Sequence, residues 1–498
     1  MSLSRARPLF LRAALPRPGI AAIIWFFYWS VRTSGGFEAP GEKYYYNFLV
    51  QGWHQGHLHM SKEPRPEMLA LADPYDPAQN SNVRMGDASY FRGHYYLYFG
   101  AAPAAVLMLP WHALTGRELG TTTAIFIFCT IGFLAASGLW LAIRRKYFPA
   151  SARWVGLAGV VLLGLASHAF VLPREPFVWE LAIAAGYAFA MLALAGIYWA
   201  LHGKRPALAL GLSGFAMTLA VGSRPTCLMG TAMFLPALWH LRCTLADRAQ
   251  WWRCVAALSV GLGVCLLAIT AHNFARFGNA LEFGQNFQLS GVYESKMRHF
   301  RLAYVPYNFG IYFLQLPGWT REFPFISANA VHGGPDGYLG GWNGPVCGLA
   351  VTLPFLWLAL TAPLACHETI AIDRAPLRAM LAAIGIYFAV MAATILSYFL
   401  ATPRYLADFT PALALLAAIG LLFAEGWAQR GGARKLALPL LATACFATAI
   451  SGTLLSFDYH ARAQRIRWAN VESFSPRWSP SKTVVEPRPC NSSGLAFS

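Results

Sequence analysis

The chain has 498 residues, of which 56% are hydrophobic and only 12% charged, against about 25% charged in soluble domains. Apolar runs of about 20 residues recur along most of it, which excludes a soluble globular protein and predicts a polytopic, all-α membrane protein. The formal net charge of +17 does not indicate a nucleic-acid partner: the basic residues sit mostly at the ends of apolar runs, where membrane topology and anionic lipid account for them.

Arg5, Arg7, Arg12 and Arg17 precede the apolar run "GIAAIIWFFYWSV". With no small-residue cleavage site of the usual kind, this predicts an uncleaved first helix over about 14–31 and a cytoplasmic N-terminus. Residues about 32–119 then form a long first outer loop. Its end, "FGAAPAAVLMLPWHALTG", is short and carries Pro103 and Pro110. The next run, 120–143, ends in Arg144, Arg145 and Lys146. That basic cluster falls inside only if the short piece dips into the outer interface without crossing.

Further helices are expected at about 152–172, 177–201, 207–222, 225–241 and 254–274, with "HGKRP" and the stretch from Arg242 to Arg253 inside. A second outer loop covers about 275–344. Helices follow at about 345–364, 379–400, 408–424 and 436–456. The expectation is a transmembrane domain over 1–456 with about 11 transmembrane helices, and a C-terminal tail, 457–498, on the non-cytoplasmic side. The nine cysteines form no CxxC pair, and Cys129, Cys227, Cys265 and Cys445 fall in apolar runs, as buried structural thiols do.

Polar residues concentrate on the expected outer face. The first loop holds Glu38, Glu42, Glu63, Glu67, Asp73, Asp76 and Asp87. Outer helix ends carry Arg174 in "PREP", Arg224 in "GSRPT" and Arg404 in "TPRYLADF", and Arg276 sits in "HNFARFGNALEFG". A single arginine at a helix end is ordinarily an interfacial anchor, and the Asp-Pro pairs of "DPYDP" are ordinarily turns. Several arginines at one level facing an acidic loop suggest more, because the guanidinium fork suits phosphate oxygens. The carboxylates can deprotonate an attacking group or hold a divalent metal, Mg2+ or Mn2+, through hard oxygens. Glu180, near the start of its helix, is the clearest acid within an apolar run.

Two stretches of the first loop stand out. "NFLVQGWHQGHLHM" spaces His54, His57 and His59 as metal ligands can be spaced, but no acidic second shell is evident beside them, and an interfacial helix with a polar side is the preferred reading. "DASYFRGHYYLYFG" sets Tyr90, Phe91, Tyr95, Tyr96, Tyr98 and Phe99 around Asp87, Arg92 and His94. An aromatic belt explains the rings. Rings beside carboxylates also suit a sugar, whose apolar faces they cover while acids take the hydroxyls.

"GEKYYYNFLVQGWHQGHL" resembles the segment of the GT-C superfamily in which an acid after the first helix precedes an amphipathic helix. "YFRGHYYLYFGAAPAAVLMLPWHALTG" resembles the segment after it, an aromatic and basic turn leading into a juxtamembrane helix. With "GSRPT", "NFARFGNALEFGQNFQLSG" and "RYLADFTPAL", the set looks like a bacterial branch of GT-C-like membrane proteins. The resemblance implies a GT-C-like bundle with interfacial helices in its first outer loop. It implies a glycosyltransferase of the bacterial inner membrane, moving a hexose or pentose from a polyprenyl-phosphate sugar to a glycan, lipid or protein acceptor with inversion. It implies a carboxylate base in the first loop. Glu42, followed by Lys43 where the family often has a second acid, and Asp87 lead, with Asp76 and Asp73 behind. The donor phosphate then falls to Arg92, Arg224, Arg276 and Arg404, and the substrate's faces to Tyr90, Tyr95, Tyr96 and Tyr98. No cofactor is required beyond the candidate metal. A transporter or flippase of a lipid-linked anion is the alternative, weakened by the scarcity of acids within the apolar runs and the lack of a repeat. A non-catalytic scaffold is a third reading.

Overall fold

The computed structural model describes residues 16–33, 45–174, 177–368, 371–430 and 434–472; Glu42 lies outside them. In chain order the main elements are α1 (Pro16–Thr33), α2 (Tyr45–His54), β1 (Ser89–Phe91), β2 (His94–Tyr96), α3 (Leu109–Thr115), α4 (Thr121–Tyr147) and α5 (Arg153–Leu165). Then come α6 (Val178–His202), α7 (Pro206–Ser223), α8 (Phe234–Thr244), α9 (Arg248–Phe277), β3 (Gly318–Trp319), β4 (Ile326–Ser327), α10 (Ala371–Leu396), α11 (Thr410–Arg430) and α12 (Arg434–Glu472).

Among the described residues, seven helices are long and apolar enough to cross a bilayer: α4, α6, α7, α9, α10, α11 and α12. The chain is an all-α integral membrane protein. Other expected spans are shorter or irregular. The one expected over 152–172 stops at Leu165, and a 3-10 turn, Ala169–Arg174, follows. The one expected over 225–241 opens as a 3-10 segment behind Pro225 before becoming α8. The one expected over 345–364 is mainly a 3-10 segment, Pro354–Glu368, with Pro363 inside it. Proline removes a backbone donor and crowds the preceding turn, so regular α-helix is costly in the latter two. The apolar piece Ala104–Thr115 is well short of the ~20 residues a crossing helix needs.

The centre of the bundle is α6, "VWELAIAAGYAFAMLALAGIYWALH", whose apolar window is 83% buried, against 11% for α9 and 22% for α12. Its alanines and glycines let α4 and α7 pack against it, as small residues do where no hydrophobic effect drives helix association. The α7 and α9 backbones approach closely at Gly261, where an added Cβ would lie 2.1 Å from the Gly211 carbonyl oxygen.

One end of the bundle carries the site. The first loop meets the second through Asp87 N–H donating to Leu289 O (2.7 Å) and Leu289 N–H donating to Ala88 O (2.8 Å). The second loop meets the segment before α11 through Leu339 N–H to Phe399 O and Gly344 N–H to Ala401 O, both 2.9 Å. It reaches α12 through Ala328 N–H donating to Asp458 (2.9 Å). The other end gathers basic residues, where Lys146 pairs with Asp373 at 3.0 Å.

Candidate active site

Strands β1 and β2 pair Ser89 with Tyr96, Tyr90 with Tyr95 and Phe91 with His94. Arg92 (φ 50°) and Gly93 (φ 81°) form the two-residue turn. Both in the left-handed region, they match the twist of the flanking strands. The "DASYFRGHYYLYFG" stretch thus contains a hairpin, fixed on one side by Met60 N–H donating to Tyr95 O (2.8 Å) and on the other by Ser89 Oγ donating to Gly284 O (2.8 Å). Phe91 packs on Phe277 and Phe287 at 5.6 and 4.6 Å between centroids. Gly100, at the exit of the hairpin, lies so close to the end of α7 that an added Cβ would sit 1.8 Å from Gly222 O.

Asp87 stands at the foot of β1 with φ 59°, a conformation that aspartate tolerates better than most residues. The Tyr45 hydroxyl donates to the Gly86 carbonyl just before it. Gln288 Nε2 donates to Asp87 Oδ1 at 2.8 Å. A polar chain continues from there: Gln285 Nε2 donates to Gln288 Oε1 (2.7 Å) and Glu294 Oε2 (3.2 Å), and His299 Nε2 lies 2.7 Å from the same Glu294 oxygen. Gln288 and Glu294 are buried, so the carboxylate of Asp87 is oriented by a network with little freedom of its own.

Asp87, Gln285, Gln288 and Glu294 border a cavity of about 430 Å³, within the size range of small-molecule sites. Its lining includes Asp87, Glu180 and Glu294, four arginines (Arg84, Arg174, Arg404 and Arg462), and the rings of Tyr98, Trp179, Tyr398 and Tyr405. The Arg404 guanidinium lies over Trp179 at 4.6 Å and over Tyr405 at 5.4 Å, with Nη1 3.6 Å from Glu180 Oε1. Arg84 donates to Asn80 Oδ1 (2.7 Å). Arg462 is tied to Asp458 (2.8 Å) and to Ala328 O (2.6 Å).

Arg174 is fully buried. It donates to Ser456 Oγ (2.7 Å), Thr33 Oγ1 (3.0 Å) and Ser30 O (3.4 Å), and lies 5.0 Å over Trp29. These partners are neutral. Burial pulls its pKa down to about 9, so at neutral pH the cation persists in a low-dielectric setting with no carboxylate among the described residues bonded to it. Such a charge is costly unless an anion joins it.

The structure brings Asp87, Arg404 and Tyr98 to one cavity and, of the other expected site residues among those described, places each elsewhere; Glu42 is not among them. Asp73 accepts from Tyr75 N–H (3.0 Å) and from the Tyr293 hydroxyl (2.9 Å), tying the two loops together. Asp76 caps the turn Pro77–Asn80 by accepting from Ala78 N–H (3.0 Å), a bond that lowers its pKa. Arg92 is exposed at the hairpin turn, over Phe91 at 5.0 Å. Arg276 is buried; its Nη1 and Nη2 donate to Leu97 O and Asn273 Oδ1, both 2.7 Å, and it does not border the cavity. Arg224 donates through Nε and Nη2 to Asp408 Oδ2, at 2.9 and 2.7 Å. Burial raises the pKa of Asp408 while Arg224 pulls it back; burial likewise opposes the Arg224 cation, and Asp408 more than restores it. The pair is a buried ionic clamp between the end of α7 and the start of α11. Tyr90, Tyr95 and Tyr96 are buried within the hairpin's own packing.

Sequence reasoning missed Arg84, Arg462, Gln285, Gln288, Glu294, Tyr398 and Tyr405 as cavity residues. Gln285 and Gln288 stand in "GQNFQLSG", where the arginine upstream drew attention first. Among the described residues, neither the "DPYDP" aspartates nor the cavity carboxylates gather with other His, Cys or acidic side chains into a group of three; Mg2+ or Mn2+ at the cavity would be held by one or two carboxylates with water and a substrate phosphate.

No family model matches the chain, and no curated protein does. Among solved structures, the chain is similar to ArnT from Cupriavidus metallidurans bound to undecaprenyl phosphate. The TM-score is 0.48 at 13% identity, over 93% of this chain and 81% of that one. It is also similar to the archaeal oligosaccharyltransferase AglB from Archaeoglobus fulgidus in complex with an inhibitory peptide and a dolichol-phosphate. There the TM-score is 0.49 at 12% identity, over 90% of this chain and 56% of that one.

Proposed function

We propose that the chain is a membrane glycosyltransferase that moves a sugar from a polyprenyl-phosphate donor to an acceptor hydroxyl, on the outer face of a bacterial inner membrane. The observation that carries this reading is one cavity holding an oriented carboxylate, Asp87, together with Arg404, the buried cation Arg174 on its neutral partners, and a set of aromatic rings. The arginines suit a phosphate and the rings suit the faces of a sugar. The sequence resemblance to the GT-C superfamily supports the same assignment.

In the proposed step, Asp87 takes the proton of an acceptor hydroxyl. The freed oxygen attacks the anomeric carbon from the side opposite the phosphate, forming the new glycosidic bond with inversion. The bond from the anomeric carbon to the phosphate oxygen breaks, and its electron pair leaves with the lipid phosphate. Arg404 and Arg174 hold the charge that develops there. Gln288 keeps the carboxylate aimed, and Glu294 and His299 anchor Gln288 through Gln285.

The test is release of sugar from a panel of radiolabelled polyprenyl-phosphate hexoses and pentoses by the purified protein in lipid, with and without Mg2+ or Mn2+. Asp87→Asn is expected to lose about 10²- to 10⁴-fold in turnover, the usual range for a general base, while still binding donor. Glu42→Gln is expected to stay near wild type. Loss in Glu42→Gln with activity retained in Asp87→Asn would move the base to Glu42. If wild type neither binds nor consumes any donor in the panel, the glycosyltransferase reading falls, and headgroup translocation in vesicles becomes the assay.

A further inference from the structure

The histidines of the first loop are not absorbed by the cavity. Chain 57–63 leaves α2 and runs beside β2, with Met60 N–H bonded to Tyr95 O and Ser61 N–H to Phe48 O (3.0 Å). This course stacks three imidazoles in a column. His57 lies on His59 at 4.7 Å between centroids, and His59 on His94 at 4.1 Å, with the second pair 13° from parallel. Glu63 comes round to the same place. One ligand atom each from His59, Glu63 and His94 lie within 4.8 Å of one another. None of the three borders the cavity.

We propose that His59, Glu63 and His94 bind a divalent transition-metal ion of the zinc class. Three observations support it. Two nitrogen donors and one carboxylate are a ligand set for zinc, and an unsuitable one for Mg2+ or Ca2+. His59 Nδ1 lies 3.0 Å from the Met60 carbonyl oxygen. A hydrogen bond there fixes the tautomer and leaves Nε2 its lone pair, the second-shell arrangement usual for a ligating histidine. His94 Nδ1 is buried without a hydrogen-bond partner, a cost that coordination at this ring would remove. Ligands about 2.0–2.1 Å from a tetrahedral zinc stand roughly 3.3 Å apart. Because the His59 and His94 rings are stacked nearly parallel and an imidazole holds a metal in its own ring plane, binding requires the His94 ring to turn out of the stack toward His59 Nε2, with the exposed Glu63 side chain closing in. Water completes the coordination.

Such an ion would join the 57–63 segment to the hairpin whose other strand leads back to Asp87. It would act as a clip on the scaffold of the site, not as a participant in the proposed transfer.

The experiment is titration of the full-length protein in detergent, stripped with EDTA, with Zn2+, Co2+ and Mg2+. Wild type is expected to take up one equivalent of Zn2+, to melt at a higher temperature with it, and to ignore millimolar Mg2+. Bound Co2+ is expected to show the visible bands of a nitrogen- and oxygen-ligated ion. His94→Ala and His59→Gln should each weaken Zn2+ binding at least tenfold. Glu63→Gln, an exposed and conservative change, should weaken it while leaving the metal-free melting temperature unchanged, so a folding defect at His94 does not blunt the test. His57→Ala should keep the stoichiometry. No uptake by wild type, or equal uptake by Glu63→Gln, His59→Gln and wild type, would overturn the proposal. Because metal uptake is read without any donor, the result stands apart from the fate of the glycosyltransferase reading.

Discussion

Arg174 is the residue whose surroundings most need a function to explain them. A fully buried guanidinium whose hydrogen-bond partners among the described residues are hydroxyls and a carbonyl gains modest hydrogen-bond energy against a large desolvation cost. Proteins keep such a charge where a ligand completes it. Arg174→Met should therefore separate stability from activity. Thermal stability in detergent is expected to hold within about 1 kcal/mol of wild type or to rise, since the change removes an uncompensated charge while forfeiting a few neutral bonds. The KM for lipid-phosphate donor is expected to rise at least tenfold. A large loss of stability with KM unchanged would make Arg174 a structural strut between α1 and α12. The sequence makes Arg174 visible as a charged residue between prolines at a helix end. It does not make its burial visible, because Ser456 and Thr33 are 282 and 141 residues away.

The same separation explains which elements were legible. Apolar periodicity and basic ends locate α4, α6 and α7 to within a few residues and find α9–α11 with ends displaced by up to about two turns, since in lipid each helix satisfies its own backbone; α12 runs on to Glu472, past the expected end at 456 and into the expected tail. The turn at Arg92–Gly93 is legible as a turn, and its aromatic flanks as strands only once their partners are known. What joins the elements is long-range. Asp87 meets Gln288 across 201 residues and Arg224 meets Asp408 across 184, and one sequence holds no record of such pairings. Arg224 thus looked like a free phosphate ligand, yet it clamps α7 to the segment entering α11. Asp408→Asn would leave a buried cation with half its partner. The expected cost is about 3–5 kcal/mol, the range for breaking a buried pair from one side. Replacing both, as Arg224→Met with Asp408→Leu, should restore most of that loss. Melting curves of wild type, the single and the double variant decide it. A double variant as unstable as the single would show that the site needs the ion pair itself.

For the molecule as a whole, the end that gathers the loops also gathers the cavity, the hairpin and the histidine column. The opposite end gathers Lys146, Asp373 and the basic helix termini. The positive-inside rule assigns that basic end to the cytoplasm, and a donor built on the outer leaflet requires the loop end to face outward. Cys243, an exposed thiol in the last turn of α8, reports on the basic end. A cysteine placed at the exposed Arg92 reports on the loop end. With Cys265 and Cys490 changed to serine, a membrane-impermeant maleimide added to intact cells is expected to label Arg92→Cys and to leave Cys243 untouched. In inside-out vesicles the pattern should reverse. Labelling of Cys243 from outside would turn the whole bundle over and put the Asp87 cavity in the cytoplasm. The lipid-linked donor would then have to be presented on the inner leaflet, and the arginines would face a different pool of phosphates from the one proposed.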